Sequence, residues 1–121
     1  MVAAGIAWRF RRAEVITQSP GDWRSLEGTT VTVRGMPRMD GELSALVLKN
    51  REALIVTDVT WSREQLQAGT VTITGVVGPR IYLVPQSDGS TRVSMSRPDV
   101  QADGTVLHMA YGYAWTLKST R

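Results

Sequence analysis

The chain has no cysteine and contains only one histidine and one phenylalanine among its 121 residues. The absence of cysteine excludes a disulfide framework and a thiolate metal site, and it leaves the redox compartment open. The single histidine, His108, leaves little room for acid–base chemistry, because a lone histidine on a strand is more often a surface or hydrogen-bonded residue than a catalyst.

The usual signatures of catalysis and metal binding are also missing. The sequence has no HxH, HExxH or Asp-rich calcium loop, and Asp99 and Asp103 flank a turn without further oxygen ligands at loop spacing. The glycine-containing segment 75–79 lacks the lysine and the following helix of a phosphate loop. We therefore expect a protein that is not an enzyme and that needs no metal and no cofactor.

The charge balance is basic, with a net charge of +3, and arginine supplies most of it because Lys49 and Lys118 are the only lysines. The planar guanidinium suits phosphate, carboxylate and aromatic partners, so the balance favours an acidic partner. The alternative is plain solubility, since eleven acidic residues are scattered among fourteen basic ones.

The most informative feature present is a near-duplicate of ten residues, LEGTTVTVRG at 26–35 and LQAGTVTITG at 66–75. Each copy places a glycine before an alternating β-branched run and ends on a second glycine, which predicts the same half-buried strand twice. Val31 and Val33 share one face of the first strand, and Gly35 permits a bulge or bend. Side by side, the two strands would present a ladder of threonines.

A turn signal at 19–22 separates a lead-in segment, 1–20, from a single β domain, 21–121. Six strands are predicted, at 29–34, 43–49, 53–61, 70–77, 80–84 and 106–117, with a hairpin connection at 36–42 and a further hairpin around 87–90. Asn50 tolerates the left-handed conformation that a short turn requires. Ser62 and Gln65 fit a capping box that opens one short helical turn.

These elements resemble a known architecture. The strand at 28–35, the hairpin at 43–61, the helix at 63–66 and the strand at 69–75 are similar to the first four strands of an OB-fold, with its helix between strands three and four. The resemblance implies an all-β fold, a small OB-like barrel of five to six strands with one short helix. Either the barrel is complete near Val84 and 106–117 is a sixth strand, or 106–117 is the true fifth.

The resemblance also implies a function. OB-folds bind oligonucleotides or oligosaccharides on the face of strands two and three and on adjoining loops. A non-catalytic module for single-stranded nucleic acid, or for another anionic chain, is therefore expected, with arginines on phosphates and a tyrosine as stacking plane. By the resemblance, the binding elements also carry Arg80 and Arg97. The candidate nucleic-acid-binding residues are Arg34, Arg38, Lys49, Arg51, Tyr82 and Arg92. The alternative is a solvated surface whose arginine stems cover apolar edges.

The last predicted strand carries its large residues on one side. The large residues are Met109, Tyr111, Tyr113, Trp115 and Leu117, and small residues occupy the other side. The large side is either core or a platform for a protein partner or a second copy of the chain. The alternative function is therefore a protein-interaction or assembly domain that uses Tyr111, Tyr113 and Trp115.

The amino terminus has an apolar stretch at 2–8 followed by arginines within 9–12. The stretch is shorter than the about 20 residues that cross a bilayer, and its charges follow the apolar run, unlike those of a secretory signal. Either it packs Ile6, Trp8 and Phe10 on the domain, or it is the end of a trimmed membrane helix that tethers an interaction domain. The compartment stays unknown, with the cytoplasm slightly favoured.

Overall fold

A computed structural model describes residues 15–120 and shows an all-β, barrel-like domain with one short α-helix, which confirms the predicted fold class. The expected packing of Ile6, Trp8 and Phe10 lies outside the described residues. The strands are β1 Val15–Ile16, β2 Thr30–Asp40, β3 Leu43–Val47, β4 Ala53–Thr57, β5 Val71–Val77, β6 Ile81–Pro85, β7 Thr91–Ser94 and β8 Gly112–Ser119. Helix α1, Arg63–Gln67, lies between β4 and β5, and a 3-10 turn, Trp23–Leu26, precedes β2.

Five of these strands close into a ring. Going round it, β2 pairs with β3, β3 with β4, β4 with β8, β8 with β5, and β5 again with β2. The β4–β8 pair is parallel and the other pairs are antiparallel. Each ring strand thus has two neighbours, which leaves little free edge for pairing with other chains.

Strand β8 is the fifth member of the ring, which decides between the two alternatives for the barrel's last strand. It begins at Gly112, six residues later than predicted, and the segment 106–111 contributes only the isolated bridge between Val106 and Val100. Strand β6 lies outside the ring and pairs with β7 and with the start of β8. The last strand of the ring therefore comes from the carboxyl end of the chain.

The twin segments are neighbouring strands of the ring. Strands β2 and β5 pair antiparallel with Thr32 opposite Thr74, and the hydroxyl oxygens of these threonines are 2.8 Å apart. Inside, Val33 is fully buried, and Ile73 packs against the same core. The predicted alternation of an apolar and a polar face is confirmed in both strands.

The glycine that ends each twin segment has a steric role. Strand β2 pairs with β5 up to Gly35 and with β3 from the next residue onward. A Cβ atom on Gly35 would lie 2.6 Å from the carbonyl oxygen of Val47, and one on Gly75 would overlap the carbonyl oxygen of Lys118. Both glycines thus allow a neighbouring backbone to approach more closely than any side chain permits.

Two predicted connections are wrong in detail. Strand β2 continues through Pro37, opposite Leu46, so the loop expected at 36–42 shrinks to a tight turn at Gly41, whose φ is 64°. In the next turn Arg51, with φ 70°, and not Asn50, adopts the left-handed conformation. Asn50 acts through its side chain, which accepts a hydrogen bond from the Glu52 backbone N–H. Long-range pairing overrides the local turn signals here.

The barrel interior is apolar and combines aliphatic side chains with three tryptophans. Its buried core consists of Trp23, Val33, Leu46, Leu48, Leu54, Val56, Trp61, Val77, Trp115 and Leu117. The indole N–H of Trp61 donates to the Ala45 carbonyl at 2.9 Å. Next to it, the predicted capping box of α1 is confirmed, because Ser62 accepts from the Gln65 N–H and Gln65 accepts from the Ser62 N–H.

A smaller apolar cluster lies on the outside of the ring. Ala45 on β3, Ile55 on β4 and Ala114 on β8 pack there with Ile81 of β6. Strand β8 is therefore covered on both faces where it joins the ring. No helix among the described residues is long and apolar enough to cross a membrane.

Candidate functional site

The outer face of β2 carries a short row of exposed side chains. Arg34, Met36 and Arg38 are exposed, whereas the residues between them are buried, as the period of a strand requires. At about 3.4 Å per residue the two arginines are about 14 Å apart along the strand. The outer faces of β3 and β4 continue this surface, and three cavities lie along it and beside it.

The first cavity has a volume of about 410 Å³ and lies over the β2–β3 pair. We call it the aliphatic cavity, because Met36 and Val47, which face each other across the two strands, line it. Arg34, Lys49 and Arg51 also line it and give it a cationic rim. The Nε of Arg34 donates to the Thr72 hydroxyl at 3.1 Å, which holds this guanidinium along the sheet.

The second cavity, about 340 Å³, lies on the outer faces of β3 and β4, and we call it the sheet cleft. Arg38 and Arg51 line it together with the acids Asp40 and Glu52. Its remaining lining includes Ala45, Ile55, Leu83, Tyr113 and Ala114. The sheet cleft is therefore mixed in charge, whereas the rim of the aliphatic cavity is purely cationic.

The third cavity, about 390 Å³, is lined by Arg80, Tyr82, Arg97, Tyr111 and Tyr113, and we call it the tyrosine cavity. The Arg80 guanidinium carbon lies 5.6 Å from the ring centroid of Tyr82 and 5.0 Å from that of Tyr113. The rings of Tyr82 and Tyr111 meet edge to face, with centroids 5.7 Å apart. Arg80 is thus held between two aromatic faces.

A polar network fixes one wall of the tyrosine cavity. Arg97 donates two hydrogen bonds to the Asp99 carboxylate, at 3.2 and 2.9 Å, and the Tyr111 hydroxyl donates to the same carboxylate at 3.4 Å. The bonds from Arg97 hold the pKa of Asp99 below its usual value, although burial acts in the opposite direction. The same pairing raises the pKa of Arg97. Because this pair is neutral, Arg80 supplies the net charge of the cavity.

Shared residues connect the three cavities. Arg51 lines both the aliphatic cavity and the sheet cleft, and Tyr113 lines both the sheet cleft and the tyrosine cavity. A line of cations and tyrosine rings therefore runs across the outer face of β2, β3 and β4 towards β6. We call this surface the cationic face.

The structure brings most of the predicted nucleic-acid-binding residues onto the cationic face. Arg34, Lys49 and Arg51 meet at one cavity, and Arg38 joins Arg51 at the next. Tyr82 lies in the tyrosine cavity. The predicted Arg92 is different, because it lies on β7 opposite Val84, exposed and lining none of the three cavities.

Arg80 and Arg97, which the resemblance places on the binding elements but which are not among the six candidate residues, both line the tyrosine cavity. Arg80 precedes Tyr82 by two positions, and this spacing on a strand could have indicated a shared face. Its contact with Tyr113 arises only from the pairing of β6 with β8, in which Tyr82 lies opposite Tyr113. No local sequence pattern predicts the contact between Arg80 and Tyr113.

The aromatic side of the last strand divides between core and surface. Trp115 is 9% exposed and lies in the barrel core, whereas Tyr113 is 60% exposed. The division falls where β8 begins to pair with β4, since Leu54 lies opposite Trp115. His108 is exposed in the preceding loop and not on a strand, so its predicted strand position is wrong.

Fold and surface together define a small β-barrel with a cationic, tyrosine-bearing outer face. Comparisons with protein-family models, with curated proteins and with solved structures find no match for the chain. Within residues 15–120 no group of three or more potential metal-ligating side chains is found. The geometry of the cationic face is therefore the main indication of function.

Proposed function

We propose that this chain is a non-catalytic binding module of OB-fold type that binds single-stranded nucleic acid across the cationic face. One observation carries the proposal: Arg51 and Tyr113 each belong to two cavities, so cations and rings form one continuous surface. An extended anionic chain could follow this surface without crossing the barrel interior.

The order of the ring strands supports the OB-fold part of the proposal. In chain order the ring strands are β2, β3, β4, β5 and β8, and α1 falls between the third and the fourth. The second and third of them, β3 and β4, supply Ala45 and Ile55 to the lining of the sheet cleft. The face of strands two and three is where OB-folds bind oligomers.

The chemistry of the cationic face suits an unpaired strand better than a duplex. Arg34, Arg38 and Arg51 offer planar donors to phosphate oxygens. The rings of Tyr82 and Tyr113 offer stacking faces that only unstacked bases can reach. Asp40 and Glu52 in the sheet cleft would repel phosphates and would direct the backbone towards the arginines.

A titration at two salt concentrations tests the proposal. A fluorescently labelled oligothymidylate of about ten nucleotides matches the site size of such folds. Engagement of four phosphates, one for each of the four predicted cations that lie on the cationic face, would weaken binding about fiftyfold when salt rises from about 50 to about 200 mM. If no binding is detected at the lower salt concentration, the proposal is wrong.

Matched variants locate the binding surface. The double variant Arg38→Gln, Arg51→Gln should lose at least about tenfold in affinity and show a shallower salt dependence, because two phosphate contacts disappear. The control Arg92→Gln removes one arginine charge outside the three cavities and should bind as the unaltered chain does. Equal affinity of the double variant and the control would contradict the proposed location.

A second candidate function, protein interaction, is favoured by a different observation. Six of the nine exposed large hydrophobic residues that are described lie between positions 93 and 109. They are Val93, Met95, Val100, Val106, Leu107 and Met109. A partner docked on these side chains would be held by apolar contact, so its affinity should hardly change with salt. A salt-independent complex that Met95→Ser and Val106→Ser weaken would favour this function.

A further inference from the structure

The aliphatic cavity differs chemically from the rest of the cationic face. Met36, 51% exposed, and Val47 line it, and no aromatic ring takes part in its lining. The unbranched thioether chain of methionine adapts readily to apolar ligands of varied shape. The volume of about 410 Å³ lies within the range of small-molecule sites.

The rim of this cavity is charged with one sign only. Arg34, Lys49 and Arg51 line it, and no aspartate or glutamate does. Within the described part of the chain the one ion pair, Arg97–Asp99, lies at the tyrosine cavity, so none of these three cations is neutralised by a described carboxylate. The backbone holds the rim in place, because the Lys49 N–H donates to the Thr17 carbonyl at 3.0 Å and the Arg51 N–H donates to the Leu48 carbonyl at 2.9 Å.

The aliphatic floor of this cavity suits neither a nucleobase nor a phosphate. Sequence-tolerant base binding depends on aromatic faces, which the tyrosine cavity has and the aliphatic cavity lacks. A phosphate on Met36 and Val47 would lose its hydration without gaining a hydrogen bond. The complement of an aliphatic floor under a cationic rim is a molecule with an alkyl chain and one anionic end.

We infer that the aliphatic cavity is a binding site for a single-chain amphiphile with an anionic head group, of the class of alkyl carboxylates. The alkyl chain lies on Met36 and Val47, and the carboxylate is bound by Arg34, Lys49 and Arg51. The site does not depend on the nucleic-acid proposal, although the two share the rim cations.

A chain-length series gives the first test. The full chain, labelled with ¹³C in its methionine methyl groups, is titrated with hexanoate, octanoate and decanoate below their micelle concentrations. Each added methylene that is buried contributes about 0.8 kcal/mol, so affinity should rise up to about fourfold per methylene. The Met36 methyl signal should shift, whereas that of Met95, 65% exposed and outside the cavity, should stay. Affinity that does not change with chain length would overturn the inference.

Variants distinguish the contribution of the ligand's alkyl chain to affinity from that of its head group. Met36→Gln keeps the side-chain length but makes the side chain polar, and it should weaken decanoate binding at least about fivefold, since the apolar contact between the thioether and the alkyl chain is lost. Met95→Gln is the matched control and should change nothing. Both methionines are exposed, so neither substitution disturbs the core. Equal decanoate affinity in the two variants would place the ligand elsewhere.

The head group is tested with a neutral analogue. Arg34→Gln with Lys49→Gln should weaken decanoate about tenfold or more and leave 1-decanol binding unchanged, because only the carboxylate is attracted by the rim. If decanol binds the unaltered chain as tightly as decanoate does, the anionic part of the inference is wrong.

Two further measurements identify the source and exclude other occupants. Co-sedimentation with phosphatidylcholine vesicles that contain oleate, if Met36→Gln abolishes it, would identify an alkyl carboxylate in a membrane as the source, and decanoate binding without vesicle binding would identify a free acid. Self-association that Met36→Gln abolishes would instead assign the cavity to a second copy and overturn the inference. Met36→Gln should still bind oligothymidylate, whereas Tyr82→Leu should weaken oligothymidylate and leave decanoate unchanged, so either proposal can fail alone.

Discussion

The ring of five strands and the excursion between β5 and β8, residues 78–111, are stabilised by different interactions. The ring encloses a continuous buried core in which Leu46, Leu54 and Leu117 are fully buried. In the excursion, Ile81 and Val84 of β6 are buried, but six large hydrophobic side chains face solvent. Burial of apolar area therefore concentrates the stability of the domain in the ring.

The excursion is held by polar contacts instead. Its turns depend on Asp88, which accepts from Ser90, and on Asp103, which accepts from the Thr105 N–H. The Arg97–Asp99 pair anchors Tyr111 beside Tyr82. Because exposed polar contacts contribute little stability, the excursion is the region where a binding surface can adjust without cost to the core.

Among the variants that compare the ring with the excursion, truncation of a core residue should lower the free energy of unfolding most. Leu54→Ala on β4 is expected to lower the free energy of unfolding by about 2–5 kcal/mol, because a fully buried side chain leaves a cavity. Val93→Ala on β7, where valine is 42% exposed, should change it by less than about 1 kcal/mol. Urea denaturation measures both, and equal losses would show that the excursion shares the core's stability.

Addition of a methyl group at a ring glycine should have the next largest effect. Gly75→Ala places a Cβ atom against the Lys118 carbonyl oxygen and should destabilise by about 1–3 kcal/mol. Gly112→Ala, at the start of β8, meets no atom within 4 Å and should stay within about 0.5 kcal/mol of the unaltered chain. The midpoint of thermal unfolding compares them. A harmless Gly75→Ala would mean that β5 and β8 can separate without loss.

Loss of the helix cap should have a smaller effect. Ser62→Ala removes the hydrogen bond from the Gln65 N–H at 3.1 Å and should lower the free energy of unfolding by about 1 kcal/mol. Ser87→Ala, in the exposed tip between β6 and β7, is the control and should have almost no effect. If both variants behave alike in urea denaturation, α1 contributes as little to the ring as the excursion tip does.

Acid should produce the smallest and most local effect. Because the pKa of Asp99 is lowered in the folded chain, its ionised form stabilises the fold above the unfolded-state pKa, and this contribution is lost as the pH falls through the lowered value. The ring signals of Tyr111 in NMR spectra should therefore stay constant down to pH of about 4 and change only in stronger acid. Asp99→Asn should show the altered Tyr111 signals at every pH. A change of Tyr111 between pH 5 and 7 would contradict this assignment.

Local sequence patterns predicted the elements of the ring well. The twin segments at 26–35 and 66–75 predicted two strands and their buried faces correctly. A period of two places Val31 and Val33 on one side of the first strand, and Val71 and Ile73 on one side of the second, regardless of context. The capping box of Ser62 and Gln65 was equally readable, since both partners lie within one helical turn.

The candidate site was only partly predictable from the sequence. Arg34 lies in the predicted first strand, whereas Arg38 falls in the connection expected at 36–42. Only the continuation of β2 through Pro37 brings both arginines onto its outer face. The contact of Arg80 with Tyr113 could not be predicted, because it depends on the pairing of two strands that are about thirty residues apart in the chain. The burial of Trp115 and the exposure of Tyr113, on the same side of one strand, follow from where the ring ends.

The sequence by itself determined the central part of each ring strand, which side of each twin strand is apolar, and the capping box of α1, because these are properties of a few neighbouring residues. Tertiary structure decided that β8 closes the ring, that Gly35 and Gly75 lie against a neighbouring backbone, and that three cavities share Arg51 and Tyr113. Those features depend on which distant strand edges pair. The free energy of the whole barrel decides that pairing, and no single segment does.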